Sequence, residues 1–250
     1  MAVIRHLERA PITEALVDFK TTLPDDFPVE KLGSFNQLKE DYPNREVQNA
    51  FQAQFRFGGK GTVEADPVTT KALSLRGYLF RSKDGRIAQF RRDGFTFNRL
   101  APYTTWEEVR DEALKLWGVY REVAQPERLE RLALRYLNRL VVPPRGDLDT
   151  YLAVTPPVVP GLPSHLASFL MRLAAFDPQS HYLSNVTLAL EQDAADPTRS
   201  VIILDIEAYT DTGLGLTAEE LLPILERLHV MKNETFFGCI TEETARMYGG

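Results

Sequence analysis

The sequence is short of the residues that carry most catalytic and structural chemistry. It has one cysteine, Cys239, so no internal disulfide can form, and this thiol lies in the apolar run 236–240, where a small buried side chain is expected. Its four histidines are scattered, without the spacing of metal ligands. It contains no nucleophile elbow, no Walker A motif and no Cys–His arrangement. We therefore predict no catalytic residue, no metal and no cofactor.

Long hydrophobic runs are also missing. No apolar stretch approaches the roughly 18 residues that a membrane-spanning helix needs. Residues 1–10 are mixed and charged, and they contain no apolar core of a signal peptide. These absences, together with the single cysteine, predict a cytoplasmic protein with no membrane partner.

Charge is unevenly spread along the 250 residues. Residues 1–145 carry 24 Lys and Arg against 20 Asp and Glu, whereas residues 146–250 carry 5 against 15. The asymmetry has two interpretations: solvated faces of an ordinary folded protein, or a basic surface for an anion beside an acidic surface. Hydrophobic residues make up 44% of the chain, which allows one large domain or two small fused ones.

The first half alternates between strand and helix patterns. Apolar residues recur at every second position from Thr13 to Lys20, which is typical of a half-buried strand. Val29, Leu32, Phe35 and Leu38 recur at a spacing that predicts a helix ending at Tyr42. The remaining patterns predict strands at 51–57, 73–81, 86–92 and 95–99, a glycine-rich loop at 58–61, and a helix from Trp106 to Val123 capped by Thr104 or Thr105.

The stretch 131–142 in the middle of the chain fits two patterns. Leu129, Leu132, Tyr136 and Leu140 would share a helical face, but a strand is favoured because a complete helix has just ended and prolines follow at 143–144. As a strand it divides its side chains cleanly between two faces. One face carries Leu132, Leu134, Tyr136, Asn138 and Leu140, and the other carries Arg131, Arg135 and Arg139.

The second half begins with a proline-rich connection at 143–163 that includes a short helix near 147–152. The pattern at 164–176 leaves helix and strand open. Strands follow at 180–191 and 200–209, and Thr217 with Glu220 forms a capping box before a long helix. The apolar stripe of that helix contains Leu221, Leu225, Leu228, Met231 and Lys232, and a short helix at 241–248 ends the chain.

The element order predicts an α+β fold. Residues 1–126 and 127–250 each read as a strand, a helical segment, further strands and a long helix, without sequence identity between them. Two such halves joined edge to edge would give a curved, mostly antiparallel sheet with helices on one face. This sheet would resemble the saddle of the TATA-binding protein or the effector-binding module of bacterial regulators. A single unduplicated α+β sheet is the alternative.

The free face of this sheet is the predicted site. Its strands would project Gln52, Gln54 and Arg56 in the first half, and Asp205, Glu207 and Tyr209 in the second. Arginine binds carboxylate or phosphate through a planar fork. We therefore predict a non-enzymatic binding or regulatory protein that holds a small anionic ligand or a protein partner. The predicted ligand-binding residues are Arg131, Arg135, Arg139, Asn138 and Glu207.

Three other interpretations remain open. The arginines could simply pair with acids of neighbouring strands, such as Glu14 and Asp18. The segment 71–99 has eight basic and two acidic residues and could bind nucleic acid through Arg76, Arg86, Arg91 and Arg92, although the overall pI of about 5.4 opposes this. Asp205 and Glu207 share one strand face and could hold the metal of a hydrolase.

Short motifs over nearly the whole chain resemble one family. They are Pro11-Ile12-x-Glu14-Ala15, Phe97-Asn98-Arg99-Leu100, Arg135-Tyr136-x-Asn138-Arg139, and an ending with His229, Lys232, Phe236-Phe237 and Ile240-Thr241. Together they resemble a sporadically distributed bacterial family of about this length, which has no assigned activity. The resemblance implies a bacterial, cytoplasmic accessory protein and supplies no catalytic residues. A sporadic distribution suits mobile or defence-linked genes.

Overall fold

The computed structural model describes most of the chain. The described residues are 1–35, 38–50, 74–143, 147–157, 160–161, 163, 166–192, 196 and 199–250. The predicted strand at 51–57, with Gln52, Gln54 and Arg56, lies outside them, as does the glycine-rich loop at 58–61.

One open sheet of nine strands organises the described residues. Every neighbouring pair is antiparallel, and the order across the sheet is β2-β3-β4-β5-β1-β6-β9-β8-β7. The strands are β1 (Ile12–Thr22), β2 (Asn44–Ala50), β3 (Ser74–Arg81), β4 (Arg86–Arg91), β5 (Gly94–Leu100), β6 (Arg128–Val142), β7 (Phe169–Phe176), β8 (Tyr182–Gln192) and β9 (Ser200–Thr210).

The described residues also form three α-helices: α1 (Trp106–Ala124), α2 (Ala218–Cys239) and α3 (Glu242–Met247). The two long helices begin at predicted caps. The Thr105 hydroxyl accepts a hydrogen bond from the backbone N–H of Glu108, and Thr217 and Glu220 cap each other reciprocally. Each cap satisfies backbone donors that the first turn of a helix leaves free, so it fixes where the helix starts.

Both long helices cover the same face of the sheet. α1 packs on β5 and β1, and α2 packs on β6 and β9. The Trp117 ring of α1 stacks on Phe19 of β1, with ring centroids 4.7 Å apart. Near the end of α2, Phe236 and Phe237 pack with Leu204 of β9 in a second group of buried residues. The opposite face of the central strands carries the polar side chains.

The structure confirms an α+β fold with a mostly antiparallel sheet and its helices on one face. The strand interpretation of 131–142 is confirmed, and the pattern at 164–176, which left two possibilities, contains strand β7. The predicted short helices at 147–152 and 241–248 are present as a 3-10 helix at Leu148–Thr150 and as α3.

The helix predicted at 29–42 is wrong. Among the described residues of this range, a 3-10 helix forms at Val29–Gly33 and no α-helix is found, although Leu32, Phe35 and Leu38 are buried as expected. Their spacing is three residues, which is the period of a 3-10 helix rather than the 3.6 of an α-helix. The Tyr78 ring also lies against Gly33, where a Cβ atom would come within 2.6 Å of it.

Strand β2 was not predicted, because it lies at the described edge of the sheet and most of its side chains are exposed. Such a strand has no buried face, so its sequence shows no alternation of apolar and polar residues.

The sheet order repeats outward from its centre. β1 and β6, which open the two predicted halves, lie side by side, and they are flanked by β5 and β9, the last strands of each half. β4 and β8 come next, followed by β3 and β7, and each half then ends in a long helix. The boundary predicted between residues 126 and 127 falls between α1 and β6.

Candidate functional site

On the open face of the sheet, Arg131 of β6 is held by groups from three directions. Its Nη2 lies 2.7 Å from Oε1 of Glu207, and its Nη1 lies 3.9 Å from a carboxylate oxygen of Asp18. The guanidinium also lies over the Tyr209 ring, 3.9 Å from the ring centre. A cation between two carboxylates and an aromatic face already has its charge balanced within the protein.

Arg135, four residues further along β6 on the same face, makes a two-pronged contact with Asp205. Its Nε and Nη2 donate to the two carboxylate oxygens at 2.8 and 2.5 Å. Asn185 donates to Glu207 at 2.9 Å. Burial opposes ionisation of Glu207, but the hydrogen bonds from Arg131 and Asn185 outweigh it and lower the pKa of the carboxyl. The predicted arginine stripe therefore forms part of an ion-pair network.

A pocket of about 400 Å³ opens beside this network. Arg172 of β7 reaches it and has no ion pair with any described residue. The pocket is lined by Arg135, Leu170, Arg172, Asn185, Thr187, Asp205 and Glu207. The structure thus brings Arg131, Arg135 and Glu207 together, as the strand alternation predicted.

Asn138 lies on the opposite face of β6 from the arginines, as the strand alternation predicts, so the structure does not bring it together with them. The side chain points to the helix side, is 2% exposed, and donates to the carbonyl of Leu204 at 2.9 Å. Its apolar neighbours on the same strand face indicate a buried asparagine, and a buried amide of this kind is satisfied by a hydrogen bond to the backbone. Arg139 has its backbone N–H bonded to the carbonyl of Pro11, and it does not line the pocket.

The four arginines predicted to bind nucleic acid do not share one surface. Arg91 lies on the open face and contacts Asp18 at 3.0 Å, whereas Arg86 contacts Glu112 of α1 on the helix side. Arg76 pairs with Asp93 at 2.7 Å, and Arg92 donates to backbone carbonyls including that of Phe27.

Asp205 and Glu207 each hold an arginine. Within the described ranges, no group of three or more His, Cys, Asp or Glu side chains is arranged to hold a metal ion.

A larger cleft lies on the helix side, and we call it the amino-terminal cleft. It has a volume of about 820 Å³ and is bounded by four parts of the chain. They are residues 4–12, the loop 101–107, Asn138 of β6, and the α2 residues His229, Lys232, Asn233, Phe236 and Phe237.

The segment that closes one side of the cleft is held against the end of the chain. The backbone N–H of Ala2 donates to the carbonyl of Ile240 at 3.0 Å, and that of Arg9 donates to the carbonyl of Tyr248 at 3.0 Å. Arg5 forms an ion pair with Glu242 at 2.7 Å. These contacts hold the segment that contributes Arg5 and Arg9 to the cleft lining.

Lys232 is the unusual residue of this cleft. Its side chain is buried, with the ammonium 3.9 Å from the centre of the Tyr136 ring and donating to Oδ1 of Asn233 at 2.6 Å. Among the residues that the structure describes, no carboxylate pairs with it. Burial lowers the pKa of Lys232 to about 7, so near neutral pH the amine is divided between charged and neutral forms.

His229 lies one turn earlier on α2 and stacks on Trp106 of α1, with ring centroids 4.4 Å apart. Burial and the nearby charge of Lys232 lower the pKa of His229 to about 4, so the ring is neutral at pH 7. Its Nε2 lies 3.3 Å from Nδ2 of Asn233. An amide nitrogen only donates, so Nε2 accepts and the ring proton is on Nδ1.

Sequence reasoning did not identify this cleft. The available signal was a lysine within the apolar stripe of the last long helix, where a charged side chain has no reason to be unless it is paired or functional. Some of the residues quoted for the family resemblance also meet here, although they are far apart in the sequence. Pro11, Ile12, Asn138, His229, Lys232, Phe236 and Phe237 all line the cleft.

In the described part of the chain, none of the helices has the length and apolar character required to cross a membrane. Comparison of the chain with protein-family models, with curated proteins and with solved structures finds no match.

Proposed function

We propose that this protein is a non-enzymatic binding protein, and that its ligand is a small anion held in the amino-terminal cleft. The observation that carries the proposal is the buried ammonium of Lys232, which no described carboxylate neutralises. Burying an unpaired charge costs folding free energy, so such a group is retained most readily where it serves binding. A bound anion would supply the missing counter-charge.

The dimensions and walls of the cleft support a small organic ligand. Its volume lies within the usual range for ligand sites, roughly 300–1,000 Å³. Trp106, Phe236 and Phe237 provide apolar surface, and a few polar groups lie among them. Such a combination buries the body of a ligand while its charged end is fixed by directed contacts.

The charges around the cleft favour an anion over a cation. Arg5, Arg9 and Lys232 face it, against the carboxylates of Glu8 and Glu107. Glu242 pairs with Arg5 and offsets part of that positive charge. The excess is therefore modest, which suits a ligand with one or two negative charges rather than a polyanion.

The open sheet face is the weaker location for an anion. Arg131 and Arg135 have their donors directed at Glu207 and Asp205, and an incoming anion would have to displace a carboxylate of the protein. Carboxylates of the protein also pair with Arg76, Arg86 and Arg91, which reduces the support for a nucleic-acid function. A metal-dependent hydrolase has less support still, because both candidate carboxylates already bind arginine.

Calorimetric titration with a panel of succinate, citrate, inorganic phosphate and adenosine monophosphate tests the proposal. We expect at least one anion to bind the unaltered protein and to bind at least about tenfold more weakly to Lys232→Met, a loss of about 1.4 kcal/mol. Arg135→Gln on the sheet face is the matched control and should bind normally. Binding that is lost in Arg135→Gln and kept in Lys232→Met would place the site on the sheet face instead.

A second candidate is protein association through β7. This strand lies at one described edge of the sheet, so its outer backbone groups have no strand partner among the described residues. Leu170 and Phe176 on it are 76% and 55% exposed. An exposed edge with apolar side chains favours pairing with another strand, and a second copy is the simplest partner. Leu173 is a further exposed leucine of β7, and light scattering of the protein and of Leu173→Lys would detect such a dimer and its loss.

We further propose that the two halves form a duplicated saddle of the kind seen in the TATA-binding protein. The repeated order of strands outward from β1 and β6 supports this. The accessory role, the cytoplasmic location and the link to mobile or defence genes rest on the family resemblance and on sequence composition, and they stay predictions.

A further inference from the structure

We propose that Lys232 captures a small oxo acid covalently, as an imine formed inside the amino-terminal cleft. This inference rests on the proposed function, since it names the ligand class and the bond by which the same site would hold it. The ligand would carry a ketone or aldehyde carbon for the amine and a carboxylate for Arg5 or Arg9, which line the same cleft.

The surroundings of Lys232 are those of a nucleophilic amine. Its nitrogen contacts the Tyr136 ring and the Asn233 amide oxygen, neither of which is a counter-ion that would hold a proton on it. Because its pKa is lowered, Lys232 is present at pH 7 largely as a mixture of charged and neutral amine. The neutral form, which can attack a carbonyl, is on the order of 10³ times more abundant than in an exposed lysine. Desolvation in an apolar pocket is a recognised means of activating lysine for imine formation.

The other charged groups around the cleft suit the second end of an oxo acid. Arg5 has its Nε buried and without a hydrogen-bond partner among the described residues, although its Nη2 pairs with Glu242. Arg9 donates to the carbonyl of Met247, and this neutral acceptor does not balance the positive charge of Arg9. Glu8 and Glu107 line the same cleft and offset part of this positive charge.

The reaction balances without any oxidant, reductant or metal. The lone pair of Nζ attacks the carbonyl carbon, the carbonyl π bond breaks, and its oxygen takes up a proton while nitrogen loses one, giving a carbinolamine. After the hydroxyl accepts a proton from solvent, the nitrogen lone pair forms the C=N bond as the C–O bond breaks and water leaves. The resulting iminium returns a proton to solvent and becomes the neutral imine, so no net proton is consumed. One water is released for each imine formed.

Other groups near the amine remain uncharged at pH 7. His229 on the same helix is neutral, and burial raises the pKa of both Tyr103 and Tyr136, so both phenols keep their protons. The amine is therefore the group on this wall best suited to attack a carbonyl.

Reductive trapping tests the inference. The full-length protein is incubated at pH 7 with pyruvate and sodium cyanoborohydride, and the adduct is read by intact mass and peptide mapping. We expect one adduct per chain, with the mass of pyruvic acid less one oxygen atom, located on Lys232. Lys83→Met, which removes an exposed lysine from a hairpin turn, should label normally, and Lys232→Met should not label at this site. Absence of an adduct, or equal labelling of exposed lysines, would overturn the inference.

Peptide mapping of the unaltered protein identifies the modified residue even where the Lys232 variant fails to fold. Titration with succinate, which has carboxylates but no ketone, separates this inference from the proposed function. Succinate or phosphate binding without pyruvate trapping would leave an anion site and remove the imine. Failure of succinate, of phosphate and of pyruvate trapping would remove both.

Discussion

The ammonium nitrogen of Lys232 lies 3.9 Å from the centre of the Tyr136 ring, between α2 and the central strand β6. The ring face stabilises the cation, but the loss of hydration is larger, and the net effect lowers the pKa to about 7. Many lysines pack their aliphatic stem against apolar residues while the ammonium group reaches solvent. Lys232 differs, because its whole side chain is buried. The buried position therefore indicates a role for the amine itself.

Replacing Lys232 with methionine should stabilise the protein at pH 7 by roughly 3 kcal/mol. Each unit of the pKa shift corresponds to about 1.4 kcal/mol, and relaxation of the protein around the charged amine reduces the total. The unfolded lysine titrates near pH 10.4, well above the folded value of about 7. Between these two values the unfolded state binds more protons, so the stability of the unaltered protein rises with pH. The advantage of the variant should shrink accordingly and vanish near pH 10.

Urea denaturation of both proteins from pH 6 to pH 10 measures this difference. Burial raises the pKa of Tyr103 and Tyr136 in the folded protein, and both residues are present in the two proteins, so their contributions largely cancel. Lys83→Met is the control and should differ from the unaltered protein by less than about 0.5 kcal/mol at every pH. A pH-independent effect of Lys232→Met would show that its amine is not desolvated.

The contact between Arg135 and Asp205 should contribute to stability and not to ligand binding. Arg135 is about half exposed, so a double-mutant cycle with Arg135→Gln and Asp205→Asn should give a coupling free energy of about 1 kcal/mol or less. Calorimetry on the same variants should show unchanged affinity for the anion that binds the cleft. A loss of affinity in Arg135→Gln would support the sheet-face site.

Asn138→Ala should cost about 1–3 kcal/mol, because the Leu204 carbonyl loses its donor and a small cavity forms. Asn185→Ala provides a comparison on the open face, where the side chain is half-buried and water can replace its bond to Glu207. Its cost should be smaller. Thermal unfolding of the two variants measures both effects, and equal costs would contradict the buried position of Asn138.

Gly94→Ala should unfold the protein or destabilise it by more than about 3 kcal/mol. A Cβ atom at this position would lie 2.0 Å from the carbonyl oxygen of Phe19, and the φ angle of 145° disfavours any side chain. Gly118→Ala in α1 is the matched control, since nothing lies within 4 Å of its added Cβ. That variant should gain up to about 1 kcal/mol, and circular dichroism during heating compares the two.

Much of the sheet could be predicted because one of its faces is buried. The central strands alternate between core and open face, so Leu132, Leu134 and Tyr136 mark the inner face of β6 once the stretch 131–142 is interpreted as a strand. The edge strand β2 has no such contrast, and the period of three at 29–38 was mistaken for a helix. Local patterns indicate burial more reliably than they indicate which backbone conformation achieves it.

The cleft could not be predicted, because it depends on which distant segments meet. Lys232 was visible as a charge within an apolar stripe, yet nothing in the sequence reveals that the residues around Arg5 would close over it. The opposite holds for Arg131 and Arg135, whose shared face was predictable but whose partners depend on strand register. Pairing of β6 with β9 places Glu207 opposite Arg135, and the side chains then cross so that Glu207 binds Arg131.

The protonation of Lys232 in solution tests the central claim most directly. With lysine labelled by ¹³C at Cε, the Lys232 resonance is assigned by its absence from Lys232→Met and followed from pH 5 to pH 11. The account predicts a midpoint near 7 that moves to higher pH with bound succinate or phosphate, because an anion binds the protonated amine more tightly. A midpoint near 10.4 that neither anion changes would contradict it.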